Sequence, residues 1–436
     1  MLCSIKRTLP SNSLRSVVLA ARALLVLAGA SGCARAASAE PVYALTAPAV
    51  TIPFDYRNHQ ILVHAAIGGR DDLTFLVDTG AATCVLDRSL QDCGTRVGQS
   101  TVHEAEGETS ASLLVLPKVA LRGSNGFVYV SSLQAASIDL AQMSHVLGQR
   151  LDGILGMPFI AGFVAEIDYA RRELTLRASG SVNLAIRRAD NVRSFLINLE
   201  PASLTQEKCS MLAVGRLNDK IDYPFLLDTG FGGFLSISAA EAERSGLLTD
   251  ATARVRSQSF TLTRRFVTNK LRAKALRLGS MDLSGRVVSV DSRNEGAEGQ
   301  AGIIGNRLLE HYDIVLDSTK RLLWLDERTA PVEDDEAARP QLGMLVKPAG
   351  QRLEVLNIAP NSPAHYSGVR AGDMITEIDG HSIAVLAPDQ AETLIRAPRG
   401  PVTLKLVRAA DPNLGISPGE TTVSVVPLCP LDWKSD

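Results

Sequence analysis

Two stretches 150 residues apart restrict what this chain can fold into more than any other feature. FLVDTGAAT (75–83) and FLLDTGFGG (225–233) each end an apolar run on an aspartate, with Thr and Gly directly after it. Each has a downstream partner, DGILGMPFIAGFVAEIDYARRELTL from Asp152 and AGIIGNRLLEHYDIVLDSTKRLLWL from Ala301. Asp78 to Asp228 is 150 residues, Ile154 to Ile303 is 149 and Asp168 to Asp317 is 149. Three markers that keep register within one residue describe a duplicated unit, and the period is far too long for a solenoid. Two homologous lobes follow.

The local patterns are β. ILVHAAI (61–67) and LTFLVD (73–78) are short apolar runs bounded by Gly and Asp, the mark of buried strands. EIDYARRELTL and VLDSTKRLLWL each predict two strands joined by a polar turn. GMPFIAG and GNRLLEHY each carry enough helical character for one short helix.

These segments resemble the two signature segments of pepsin-like and retropepsin-like aspartic peptidases, present once per lobe, over roughly residues 50–327. The resemblance implies a mainly β fold: two retropepsin-like closed β lobes of the acid-protease type. It also implies that Asp78 and Asp228 form one catalytic pair across the seam between lobes. Thr79 and Thr229 would hydrogen-bond across that seam, and Gly80 and Gly230 would allow the tight turns. Gly156 and Gly305, each after two apolar residues, would support the turns from behind.

Two carboxylates at short range cannot both ionise comfortably, so they share a proton; aspartic proteases are the standard example of such a dyad. The ionised member takes a proton from water, which attacks the peptide carbonyl. The protonated member donates to the developing oxyanion and then helps the amine leave. The chemistry needs no cofactor and no metal, and the sequence contains no CxxC or HExxH. An Asp-Thr-Gly turn that merely ends a strand is the bland alternative for one copy, but it accounts poorly for two in register.

The chain departs from the family after each turn. Ala81 follows the first, as in retropepsins, and Phe231-Gly232-Gly233 follows the second. The flap is expected over EAEGETSAS (104–112) with Gly107 at its tip, and Tyr129 is the only tyrosine between Asp78 and Asp152. The favoured reading is an aspartic endopeptidase acting on extended proteins or peptides. Phe231 favours a rival, a catalytically inactive protein that holds peptides in the cleft without cutting them. In a third reading each lobe pairs with its twin in another chain.

Downstream, DERTAPVEDDEAARP (326–340) is acidic, holds two prolines and lacks periodicity, so it reads as a linker. NSPAHYSGVRAGDMITEIDG (361–380) with its surroundings resembles a PDZ domain, a small α+β module. Leu342, Gly343, Met344 and Leu345 then occupy the loop whose backbone receives a peptide C-terminus. The alternative is a PDZ fold that only packs against the protease.

The first 39 residues hold five basic residues and no acid, then the short apolar ALLVLAGA (23–30) and small residues. That is the pattern of a secretory signal, and its apolar run is too short for a membrane anchor. Cleavage after Ala39 releases a soluble periplasmic chain. Processing at ASGC (30–33) leaves residues 1–32 as the signal and attaches the protein to a membrane through a lipidated Cys33. Loss of residues 1–39 moves the formal charge from −2 to −7, a poor balance for binding nucleic acid. In an oxidising compartment Cys84 and Cys93 either close a small loop or stay as buried thiols. The expected domains are a signal peptide (1–39), lobes 40–190 and 191–327, a linker 328–337 and a PDZ domain 338–428.

Overall fold

A computed structural model describes residues 40–104, 107–180, 193–201, 211–219, 221–249, 252, 254–260, 265–291, 301–328, 340–386, 390–391, 394–395, 398–408 and 418–432, with Val26 and Leu27. The protein is mainly β, as expected. Val26–Leu27 is a two-residue strand beside Val102 and His103. The rest of the leader, with Cys33, and residues 329–339 of the linker reading lie outside the described residues, while its first two residues, Asp326 and Glu327, end the strand Leu322–Glu327 instead.

The two halves repeat one strand order. In the first it runs Thr95–Glu104, Gly107–Gly123, Gly126–Ile138, Cys84–Asp87, Gly153–Leu155, Arg70–Val77, Gln60–Ile67. In the second it runs Val255–Phe260, Arg265–Arg272, Val287–Asp291, Leu235–Ser238, Gly302–Ile304, Ile221–Leu227, Met211–Leu217. Strand direction repeats as well. Ile154 lies parallel to Leu76 and antiparallel to Val85, while Ile303 lies parallel to Leu226 and antiparallel to Ser236. The strands before each aspartate are apolar without alternation because both of their faces are buried: Phe75, Leu76 and Val77 in one half, Phe225, Leu226 and Leu227 in the other.

Tight turns feed these strands. Gly68 and Gly69 both have positive φ, the conformation a two-residue hairpin needs to match strand twist. Asn218 and Asp219 take the same left-handed region at the corresponding place in the second half, as those two residue types tolerate.

One antiparallel sheet joins the halves. The hairpin Phe163–Asp168 with Glu173–Ala178 pairs with the hairpin Tyr312–Asp317 with Leu322–Glu327. Ala49–Pro53 and Ser194–Pro201 flank them. Val164 opposes Asp317 and Ile167 opposes Ile314, so the seam has near two-fold symmetry. The polar turns predicted in EIDYARRELTL and VLDSTKRLLWL are the loops of these two hairpins. The predicted short helices are Met157–Ile160 and Asn306–Leu309. One core cluster runs from Val50 to Leu325 through both halves.

The candidate flap is part of a long hairpin. Gly107 pairs with Glu104 as the first residue of the strand Gly107–Gly123, so it is not the tip, and residues 105–106 lie outside the described residues. Tyr129 lies within Gly126–Ile138, stacks on Phe127 and carries the Lys118 ammonium 3.8 Å from its ring centre. It is a sheet residue rather than a flap residue. Cys84 and Cys93 are buried and not bridged to each other.

The third sheet orders Met344–Ala349, Arg352–Ile358, Met374–Ile378, Val402–Arg408 and Gly419–Val425 around a core that includes Leu342, Val355, Ile375 and Leu404. Arg408 forks onto both oxygens of buried Asp373, at 2.7 and 2.6 Å. Its entry and exit are tied together, since Gln341 bridges to Leu428. Just beyond, Cys429 and Leu431 pack with Val287 and Val255 of the second half, and Arg272 Nη2 donates to Cys429 Sγ.

Candidate active site

Asp78 and Asp228 stand at the ends of their buried strands and face each other. Asp78 N donates to Leu155 O and Asp228 N to Ile304 O, both at 3.0 Å, so each turn hangs on the apolar-apolar-Gly segment of its own half. Asp78 is fully buried and Asp228 is 2 % exposed. Asp78 Oδ1 accepts from Gly80 N (2.8 Å) and Ala81 N (2.9 Å), and Asp228 Oδ1 from Gly230 N (2.8 Å) and Phe231 N (3.0 Å). Asp78 Oδ2 takes no N–H, and the group before it is the opposite carboxyl.

The threonines lock the two turns. Thr79 Oγ1 donates to Leu227 O and accepts from Thr229 N, at 2.8 and 3.0 Å. Thr229 Oγ1 donates to Val77 O and accepts from Thr79 N, again at 2.8 and 3.0 Å. All four bonds cross between halves and are buried. Each is worth about 1 kcal/mol net, and more if its partner is left unpaired.

Gly156 and Gly305 are spacers behind the turns. A Cβ on Gly156 would lie 2.6 Å from Ala81 O, and one on Gly305 2.3 Å from Gly233 O. The structure therefore gathers Asp78, Thr79, Gly80, Gly156, Asp228, Thr229, Gly230 and Gly305 at one place. Leu342 and Gly343 lead into the edge strand of the separate C-terminal sheet, which Met344 and Leu345 open.

Burial is the largest influence on both carboxyls. It lifts Asp78 to about 6, against hydrogen bonds from Asp228, Gly80 and Ala81 that pull it down. Asp228 is raised well above the ordinary carboxylate range by burial, then by the charge of Asp78 and its hydrogen bond. Both carboxyls are raised, so the pair keeps one proton, with Asp228 the member raised further. Such a pair can give and take a proton at once, and it makes no demand on a metal; no group of possible metal ligands occurs among the described residues.

Phe231 does not disturb the arrangement. Its N–H occupies the place that Ala81 N–H holds in the other half. Its ring packs on Leu212, Leu226 and Ile303, with Gly233 beside it where a Cβ would come 2.2 Å from Cζ. The unusual Phe-Gly-Gly run is thus one packing unit.

Several residues at this site were not singled out from the sequence. Gln60, Asn306 and Tyr169 are buried between the halves. Glu310 accepts from Tyr56 OH and pairs with His59 Nδ1 at 2.8 Å. Burial acts to raise Glu310, but the bonds from His59 and Tyr56 outweigh it and hold the carboxyl below its ordinary value. The one available signal was the register of the repeat, which sets Asn306 against Met157.

Residues 63–159 match the family model described as aspartyl protease, and residues 354–408 match the PDZ domain model. The chain carries an aspartyl protease domain and a C-terminal PDZ domain. A comparison with curated proteins found no match to this chain.

Proposed function

We propose that this protein is an exported aspartic endopeptidase in which Asp78 and Asp228 act as one catalytic pair on protein or peptide substrates. The observation that carries the reading is the dyad itself: two buried carboxyls, one from each half, in matching hydrogen-bond settings and with different proton affinities. Asp78, ionised, takes a proton from the attacking water. Asp228, protonated, donates to the carbonyl oxygen as the tetrahedral intermediate forms. The proton gained by Asp78 then passes to the leaving amine as the C–N bond breaks, while Asp228 takes back a proton from one hydroxyl of the intermediate, which leaves a carboxylic acid and returns the pair to its starting state. The aspartyl protease match over residues 63–159 supports this chemistry.

The PDZ domain binds peptide C-termini and so helps choose substrates. Gly343 has φ of 78°, which turns the chain into the edge strand Met344–Ala349. Among the described residues that strand pairs on one side only, so its other edge is free to take an added strand. Leu345 and Leu394 are 52 % and 40 % exposed, as apolar contacts for a bound tail would be. The Leu342 side chain belongs to the core, and its part in the loop is through the backbone.

Export rests on the sequence of residues 1–39, with Cys33 as the lipid-bearing residue in the lipoprotein form. Among the described residues no helix is long and apolar enough to cross a membrane. The test of the whole reading is incubation of the purified protein with a peptide library, with and without pepstatin, beside the Asp78→Asn variant. Cleavage that pepstatin and the variant both abolish supports it. Peptide binding without cleavage would favour the rival reading, a protein that only holds peptides.

A further inference from the structure

The turn that carries Asp228 is gripped from behind by two buried side-chain amides. Asn306 Nδ2 donates to Thr229 O at 2.5 Å, and Gln60 Nε2 donates to Gly230 O at 2.9 Å. These carbonyls belong to the very peptide groups whose N–H, on Gly230 and Phe231, donate to Asp228 Oδ1. Donation to a peptide oxygen polarises the N–H at its other end, and hydrogen bonds in such chains strengthen one another by roughly 10–30 %. Both chains end on the same carboxylate oxygen.

Both amides also tie that turn to the first half. Gln60 opens the strand Gln60–Ile67 and is fully buried. Asn306 Nδ2 donates as well to His59 O at 2.8 Å, and its Oδ1 accepts from Tyr169 OH at 2.6 Å. The partners fix the orientation of each amide, since every nitrogen meets carbonyl oxygens. At the corresponding position of the first half, after Gly156, stands Met157, whose thioether has no N–H to give.

We propose that Gln60 and Asn306 are positioning residues that hold the Asp228 turn against the first half and strengthen the N–H donors facing its carboxylate. The repeat is symmetric in its strands and threonines, and this pair makes the two halves of the dyad unequal. The proposal rests on the reading of Asp78 and Asp228 as a catalytic pair, and it names residues that act through the turn without touching substrate. The charge acting on Asp228 is that of Asp78, and Asp78 in turn faces Asp228. Behind the amides lie Tyr56, His59, Tyr169, Glu310, Arg307 and His311, which the variants below leave in place.

The sign of the effect is fixed by which state the bonds favour. N–H groups aimed at Oδ1 stabilise the ionised form, so weakening them raises the proton affinity of the dyad. The experiment is an NMR titration of full-length protein labelled with 13C at aspartate Cγ. The two dyad signals are identified by their loss in Asp78→Asn and Asp228→Asn. Gln60→Met and Asn306→Leu remove the donors at nearly constant volume. The dyad's second ionisation, that of Asp228, is expected to move up by roughly 0.3–0.5 pH unit in each single variant and further in the double. In a cleaving enzyme the alkaline limb of kcat/KM moves the same way. An unshifted titration, with a lowered melting temperature, would reduce both residues to packing and overturn the proposal. If Asn306→Leu does not fold, Gln60→Met alone decides. Because the titration needs no substrate, a protein that cleaves nothing fails the function test without touching this one.

Discussion

Gly80 lies so close to Asp228 that a Cβ there would come 2.4 Å from the carboxyl carbon, and Gly230 stands to Asp78 in the same way. Each half thus leaves a gap that the other half's aspartate fills. Gly80→Ala or Gly230→Ala would push a carboxyl out of line with its partner. Either should remove activity while the chain still folds, checked by rate on one peptide and by circular dichroism.

Asp78→Asn and Asp228→Asn should each cut kcat by on the order of 10³-fold or more, and the double variant should be no worse than either single. The pair acts as a unit, so its parts do not add. Substantial activity in one single variant would show that the two halves do not share a site.

With Asp78 raised to about 6, activity should fall below about pH 6 as the dyad takes its second proton. Ala81→Ser would add a hydroxyl to stabilise the carboxylate, and the profile should move to lower pH. A profile that stays put would show that position 81 does not set it. Stability carries the opposite sign. A buried acid whose folded pKa lies above its unfolded value favours the native state at low pH, and that advantage is lost as pH rises through the folded value. The rise from 3.8 to about 6 corresponds to about 3 kcal/mol. Asp78→Asn should therefore melt higher relative to the parent at pH 7.5 than at pH 4.5, as calorimetry at the two pH values would show.

Gly233→Ala should cost about 1–3 kcal/mol, because its methyl group would meet the Phe231 ring. Phe231→Leu in the same chain should recover part of that loss. A double-mutant cycle in urea measures the coupling, and strictly additive effects would mean the two residues do not share one space.

On the proposal that the PDZ module holds chain termini and raises their local concentration, deleting residues 338–436 should leave cleavage of a short peptide nearly unchanged and slow cleavage of a protein with a free apolar C-terminus. Equal losses on both substrates would count against selection. A shorter cut, of residues 429–436, should spare both rates. It should lower stability by up to about 2 kcal/mol, because Leu431 no longer covers Val287 and Val255.

Cys33→Ala separates the two routes of processing. A lipoprotein would lose its membrane association in cell fractionation, whereas a chain cut after Ala39 would fractionate as before.

The two lobes could be read in the sequence because backbone geometry repeats itself. An apolar strand, an acidic turn and an apolar-apolar-Gly partner at fixed spacing can be satisfied by few arrangements. Asp78, Thr79 and Gly80 with their copies came from that repetition. Gln60 and Asn306 did not, because their roles depend on which carbonyls of the opposite half lie within 3 Å, a relationship that exists only after the halves close. Phe231 looked like a defect for a similar reason: the glycines around its ring make sense as a cavity, and a cavity is invisible in a string of letters.

The sheet that joins the halves has a consequence for how the protein behaves on dilution. Where a two-aspartate site is built from separate chains, half of it is lost each time the partners part, and the rate per subunit falls as the solution is thinned. Here Val164 to Ile167 and Ile314 to Asp317 meet within one chain, so their encounter is intramolecular and does not depend on the amount of protein. A molecule alone in a large volume keeps its whole site, and specific activity should stay level down to the lowest concentration at which it can be measured.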